Sequence, residues 1–303
     1  MRQQSDHHEY DGNECAGKGC ADDGARQLAD RAVVKGTVRP IRAGQVQDEL
    51  SDALACEVPV ALAINGISHA VMMTTPSDLA EFALGFAYTE GLIERRADVY
   101  DIDIEPQDHG AAIIVRMTVS SACFAQLKAA RRTLLGRTGC GLCGVDSLAY
   151  FEQQPAANPN REASRLDLGL LDAVLARFER LQIMRNQTGT THAAAWVNWQ
   201  GEVMLLREDV GRHNALDKLI GALLDGDAHP SDGFVLVSSR ASYEMVQKTL
   251  RWGAGCLVSV SAATAKAVEW AHQHQLQLIG FARPGRAVLY TDVSRQAILK
   301  ELI

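Results

Sequence analysis

Two cysteines separated by two residues sit in a glycine-rich run, Arg137-Thr138-Gly139-Cys140-Gly141-Leu142-Cys143-Gly144. Glycine admits backbone shapes that other residues avoid, so the run is expected to be a mobile loop rather than a helix or strand. Arg131, Arg132 and Arg137 precede it. Nearby cations favour the thiolate, which is the reactive form of cysteine. A reactive thiol on a flexible, electropositive arm suits the handing of a group from one protein to another. The plainer reading is a loop with two spare cysteines.

A second motif, Glu208-Asp209-Val210-Gly211-Arg212-His213-Asn214-Ala215-Leu216-Asp217-Lys218, falls between a strand pattern and a helix pattern. Open α/β sheets bind ligands at such strand ends. Gly211 permits close backbone approach, Asn214 is suited to cap the helix, and Arg212 and His213 could meet a phosphate at its start. Alternatively, Glu208, Arg212 and Asp217 lock a turn by ion pairing. His192, in Thr188-Gly189-Thr190-Thr191-His192-Ala193, is either a buried, hydrogen-bonded histidine or a proton donor and acceptor for thiol or ligand. Ser238-Ser239-Arg240-Ala241-Ser242 and Val260-Ser261-Ala262-Ala263-Thr264 are further junctions of strand and helix. Phe281-Ala282-Arg283-Pro284-Gly285-Arg286 offers an aromatic ring and two arginines, suited to stacking a base and holding a phosphate. Each signal is weak alone; four successive polar strand ends in one sheet point to a sizeable anionic ligand.

Elements to position these groups are legible. Val58–Ile64, a turn at Asn65-Gly66 and Ile67–Met73 read as a hairpin. Thr74-Thr75-Pro76-Ser77-Asp78 then reads as the cap of a helix at 79–90, closed by Gly91. Strands follow at 99–104 and 111–119, and a helix at 121–137 leads into the cysteine loop. Pro155, Pro159 and the amides around them mark a domain break at 153–161. Beyond it lie a helix at 166–181, strands at 191–197 and 202–207, a helix at 214–224, a strand at 233–237 and a helix at 243–252. The series ends with a strand at 256–260, a helix at 264–274 and strands at 276–282 and 287–290. This alternation predicts crossovers and a largely parallel sheet covered on both faces, opened by an antiparallel hairpin joined by Asn198-Trp199-Gln200-Gly201. Residues 1–35 are polar and short of large apolar groups, and read as a disordered tail. A metal site at His7, His8, Cys15 and Cys20 has poor spacing.

Composition narrows the class. A chain of 303 residues with 47% hydrophobic and 22% charged residues is that of a globular protein with one large core or two ordinary ones. The net charge of −7 gives no field to draw it to nucleic acid or an anionic membrane. No apolar run suits a membrane span, and the start lacks the apolar core of a signal peptide, so the chain is expected in the cytoplasm. Seven cysteines scattered along it do not form a secreted disulfide framework.

The strings TGCGLCG, TGTTHAAA, EDVGRHNALDKLIG, SSRASYEMVQK, VSAATAKAVE and IGFARPGR, in this order, resemble the FdhD family of formate dehydrogenase accessory sulfurtransferases. EVPVALAING and TTPSDLAEFALGFAYTEGLI extend the likeness to about residues 50–295. The resemblance implies a sulfurtransferase that carries sulfur. A cysteine desulfurase loads a persulfide onto the loop, which passes sulfur to molybdenum bis(molybdopterin guanine dinucleotide) before that cofactor enters the formate dehydrogenase catalytic subunit. Cys140 matches the family's essential position, with Cys143 resolving or relaying the sulfur. The implied fold is α/β, α+β overall: an N-terminal α+β domain at 36–155 and, at 160–303, a cytidine-deaminase-like α/β/α sandwich with a mixed sheet. That second domain would bind the cofactor's guanine ends, with GDP or GMP as mimics, through His192, Arg212, His213, Ser239, Arg240, Ser261 and Phe281–Arg286 (Phe281, Ala282, Arg283, Pro284, Gly285, Arg286).

No resident metal is expected. A zinc site on Cys140, Cys143 and His192 lacks a fourth ligand, and Ala194 stands where a deaminase needs its glutamate. Disulfide exchange is a further reading of Cys-x-x-Cys, as is a nucleotide-binding regulator with incidental cysteines. A homodimer, common for such carriers, would place two loops on one assembly. The loop, at about 136–146, is expected to reach across the domain boundary and cover the strand-end pocket.

Overall fold

A computed structural model of the chain describes residues 31–135 and 166–293, together with Leu28. The cysteine loop with Cys140 and Cys143, the expected break at 153–161 and most of the expected tail lie outside the described residues.

Residues 33–55 form a ribbon that sequence patterning does not announce. Strand β1 (Val33–Val38) pairs antiparallel with β4 (Leu50–Ala55), and β2 (Ile41–Arg42) with β3 (Gln45–Val46). β1 therefore begins inside the stretch read as a tail to residue 35. Val34, Ile41, Val46, Leu50 and Leu54 are exposed, so the ribbon's faces are not sorted into buried and polar, and alternation cannot reveal it.

A four-stranded sheet follows, built from β5 (Val58–Ile64), β6 (Ile67–Thr74), β7 (Val99–Gln107) and β8 (Ala112–Val119) in the order β6-β5-β8-β7. Asn65 and Gly66 turn the chain with φ of 44° and 79°, the left-handed pair that suits a tight hairpin. β8 alternates as a half-buried strand should: Ile113, Val115, Met117 and Val119 are buried, while Arg116 and Thr118 are exposed. That buried face packs on α1 (Leu79–Thr89) through Leu79, Phe82 and Phe86, and on α2 (Ser121–Leu135) through Cys123 and Leu127.

The C-terminal sheet comprises β9 (His192–Asn198), β10 (Val203–Asp209), β11 (Gly233–Val237), β12 (Cys256–Ser259), β13 (Gln277–Arg283) and β14 (Arg286–Thr291), in the order β10-β9-β11-β12-β13-β14. β11–β12 and β12–β13 are parallel; the other three pairings are antiparallel. The sheet is mixed, as the resemblance implied, and the largely parallel pairing that the alternation predicts is confined to β11, β12 and β13. The links from β9 to β10 and from β13 to β14 are too short for a crossover, and force hairpins. Helices α5 (Arg212–Asp225), α6 (Tyr243–Trp252) and α7 (Ala265–Gln273) cover one face around Leu216, Leu219, Met245, Leu257 and Leu278. Helix α3 (Leu171–Leu181) covers the other against Ala195, Phe234, Leu236 and Val258, followed by a short unforeseen helix α4 (Ile183–Thr188). The layering is α/β/α; the more particular likeness to cytidine deaminases stays an expectation. Among the described residues no helix is long and apolar enough to cross a membrane.

The two sheets are joined where α1 crosses α5. A Cβ built on Gly85 would stand 1.8 Å from the Asp217 carbonyl oxygen, and one on Gly221 1.9 Å from that of Glu81. Only glycine lets the backbones come this close. Helix α1 is accordingly buried on both sides.

Candidate functional site

The Glu208–Lys218 motif turns out to be largely buried scaffolding. Glu208 accepts from the backbone N–H groups of Met184 and Arg185 at 2.9 and 2.8 Å and from the Thr191 hydroxyl at 3.0 Å, so it anchors the first turn of α4. Asp209 is fully buried and lies 2.7 Å from Lys218 Nζ, which is also fully buried. Its Oδ1 accepts from Gly211 N and Asn214 Nδ2, while its Oδ2 accepts from Thr74 Oγ1, Thr75 N and Thr75 Oγ1. Asp217 accepts from Thr89 Oγ1 and from Lys248 Nζ, which reaches Glu90 as well. Burial pulls Lys248 down, yet Asp217 and Glu90 outweigh it and hold the ammonium above its ordinary range. Buried charges are tolerated only when paired and hydrogen-bonded, and here the partners come from both halves of the chain.

Two capping expectations are corrected. Asn214 does not cap α5: Gly211 holds that position, and the amide is drawn into the Asp209 and Met73 carbonyl contacts. Asp78 stands at the start of α1 with φ of 53° and no side-chain cap, because Arg207 lies 3.8 Å away and the preceding threonines serve Asp209. The structural reading of Glu208 and Asp217 therefore holds, through backbone amides and a buried lysine rather than a pairing with Arg212.

What the scaffold leaves over faces the strand ends. Asp209 and His192 are partners in the β10–β9 register, and Gly211 starts α5, which puts Arg212 and His213 at the same edge. Arg212 Nε, His192 Nδ1 and Ser242 Oγ are shut from solvent without a hydrogen-bond partner among the described residues. Buried polar atoms in this condition are uncommon, and three at one sheet edge mark a place for a polar ligand or ordered water. Burial, with the Arg185 and Arg212 cations, holds the His192 ring below the ordinary histidine range, Asp209 acting the other way. His192 is half-buried with its Nδ1 unpaired among the described residues, so it is not a fully buried, hydrogen-bonded core histidine, while a role as proton donor or acceptor stays an expectation. His213 Nε2 lies 2.7 Å from Glu244 Oε2. Burial lowers its pKa against the pull of Glu244, with Arg212 and Lys248 adding to the lowering.

The remaining loops are knitted together by the backbone. Ser259 Oγ donates to the carbonyls of Ser239 and Ser261, Ala241 N to Ala262 O, and Phe281 N to Ser261 O. Ser239, Ser261 and Phe281 are thus brought together, with Arg240 exposed beside them. Phe281 adopts φ of 49°, a costly conformation for an aromatic residue and one found most at functional sites. Arg286 lies over its ring at 5.3 Å, so one aromatic face is already taken by a cation. Ala282 is buried, Arg283, Pro284 and Gly285 are exposed, and Gly285 N donates to the Asp172 carboxylate at the start of α3. Ser242 falls in a strand-end motif that the sequence reading named, whereas the buried roles of Lys248, Thr89 and the helix-cap threonines 74 and 75 were not foreseen. A lone hydroxyl or a lysine on a polar helix face carries no sign of the partner it will meet. A groove of about 750 Å³ along the outer edge of β10, lined by Leu181, Ile183, Met184, Met204 and Arg207, was also unforeseen.

Fold and site together define an α/β protein whose strand-end loops gather buried polar atoms without partners among the described residues, with a second sheet joined to it through buried charges. The chain belongs to the FdhD/NarQ family, whose model matches residues 55–297. It is 51% identical over 244 residues to the sulfur carrier protein FdhD of Cupriavidus necator, covering 80% of this chain and 83% of that one. It is 49% identical over 246 residues to that of Bordetella petrii, covering 81% and 87%. A crystal structure described as that of a formate dehydrogenase accessory protein from Desulfotalea psychrophila shares the fold, with a TM-score of 0.66, 22% identity, and coverage of 87% of this chain and 99% of that one.

Proposed function

We propose that the chain is a sulfur carrier that takes persulfide sulfur from a cysteine desulfurase and delivers it to molybdenum bis(molybdopterin guanine dinucleotide) for formate dehydrogenase. Membership of the family and the names of its relatives support the carrier role. Loading is a thiol exchange. The Cys140 thiolate attacks the terminal sulfur of the desulfurase persulfide, the S–S bond breaks, and the desulfurase thiolate leaves. Release follows when the Cys143 thiolate attacks Cys140 Sγ: the terminal sulfur departs as HS⁻ and a Cys140–Cys143 disulfide remains, which a thiol reductant must reopen. Both electrons come from the two cysteines, so no other oxidant or reductant enters that step.

The observation that favours a cofactor site in the C-terminal half is the trio of unpartnered buried atoms on His192, Arg212 and Ser242, beside the knitted loops of Ser239, Ser261 and Phe281. Donors in a shielded place fit the phosphates of a guanine dinucleotide. In this reading Arg212 and His213 hold phosphate, Arg240 and the hairpin arginines screen it, and Phe281 offers its free face to a base. The cofactor itself supplies the metal that the sulfur will ligate. A homodimer is part of the same proposal. Incubation with a desulfurase and cysteine should add one reducible sulfur to the chain, read by mass spectrometry, and Cys140→Ala should abolish it. Calorimetry should show GDP binding, and an absence of binding up to millimolar concentration would remove the nucleotide site.

A further inference from the structure

The Asp209 carboxylate faces two ways. Its Oδ1 holds Gly211 N at 2.8 Å and Asn214 Nδ2 at 3.0 Å, which sets the turn that presents Arg212 and His213. Its Oδ2 is held by Lys218 Nζ at 2.7 Å and, from the N-terminal half, by Thr75 N at 3.0 Å, Thr75 Oγ1 at 2.9 Å and the Thr74 hydroxyl. Thr75 also accepts from Lys218 Nζ, at 2.6 Å on its hydroxyl and 3.1 Å on its carbonyl. The Thr75 hydroxyl thus spends its one proton on Asp209 and its lone pair on the lysine that neutralises Asp209. A carboxylate is rigid, so one oxygen cannot shift without moving the other.

We propose that Thr75 is a positioning residue for the Gly211–His213 turn, acting through Asp209. The groups read above as phosphate ligands are then aligned by a residue of the half whose chain runs on into the cysteine loop, and the C-terminal half does not form the site unaided. The consequence for ligand binding rests on the proposed nucleotide reading; the mechanical link does not.

The test uses the full chain carrying Thr75→Val, Thr75→Ser, Thr74→Val or Thr89→Val. Valine keeps the shape of threonine and removes the hydroxyl. Thr89→Val is the control, because Thr89 bridges the same two halves through Asp217 and Lys248 without touching Asp209. Amide hydrogen exchange at Gly211 and Ala215 should quicken about tenfold in Thr75→Val, the size expected for one lost buried hydrogen bond. It should return to the wild-type rate in Thr75→Ser and stay there in Thr89→Val. GDP affinity, by calorimetry, should fall in step with the exchange. Unchanged exchange in Thr75→Val, or equal quickening in Thr89→Val, overturns the proposal. If Thr75→Val does not fold, Thr74→Val decides in the same way, since it removes another donor to the same oxygen. If the wild type binds no GDP while the exchange pattern holds, the nucleotide reading fails and the positioning role stands.

Discussion

Cys140 and His192 carry the sharpest consequences for single side chains. Cys143→Ser should still accept one sulfur from the desulfurase but release little sulfide without added thiol, because the resolving thiolate is gone. Equal release from wild type and Cys143→Ser would assign resolution to an external thiol. His192 makes a second prediction, on pH. Its folded-state pKa lies below the unfolded value because burial, helped by Arg185 and Arg212, disfavours the charged ring. Protonation therefore favours the unfolded chain. Stability should be complete above about pH 6.5 and fall as the pH drops through that value towards the folded pKa. His192→Gln should flatten this slope in urea unfolding carried out across that range. An unaltered slope would assign it to other groups, His213 first among them.

Between elements, the crossing of α1 and α5 decides how the halves behave. Gly221→Ala places a methyl group against the Glu81 backbone, where no flexible side chain can yield. The cost should be about 3 kcal/mol, as for overpacking of a tight core, measured by denaturant unfolding. Lys248→Met tests the other component of the same contact. It strands Asp217, whose buried carboxylate has Lys248 and Thr89 as partners, and should cost about 3–5 kcal/mol. Asp217→Asn together with Lys248→Met should recover part of that loss, since two neutral groups need less from each other. Without recovery, the lysine matters for packing on Phe86 rather than for charge.

For the molecule as a unit, these contacts argue that the two sheets move together at the α1–α5 crossing. Under the proposed function, hinge closure of the sheets is therefore not the step that would bring sulfur to a cofactor on the C-terminal strands. A chain cut to residues 160–303 would lose Thr74, Thr75, Thr89 and Glu90 from around Asp209, Lys218, Asp217 and Lys248. It should fail to show a cooperative thermal transition by circular dichroism. A sharp transition in that fragment would show that hydrophobic layers alone suffice and that the buried charges serve alignment.

Most elements could be read from the chain because their signals are local. The Asn65-Gly66 turn, the alternation of Ile113, Val115, Met117 and Val119, and the polar junctions after β11 and β12 each declare themselves within a few residues. Family membership was legible for the same reason: the motifs are contiguous strings. Other features depend on partners far apart in sequence. Asp209 meets Thr75 across 134 positions and Lys218 meets it across 143, so nothing local tells a phosphate-binding motif from a buried clamp. Residues 33–55 stayed unread because their apolar groups are not sorted by face. The glycine-to-glycine helix crossing and the unpaired atoms of His192, Arg212 and Ser242 arise only when the layers close. Burial and pairing are properties of the packed chain, whereas propensity and spacing belong to its order of residues.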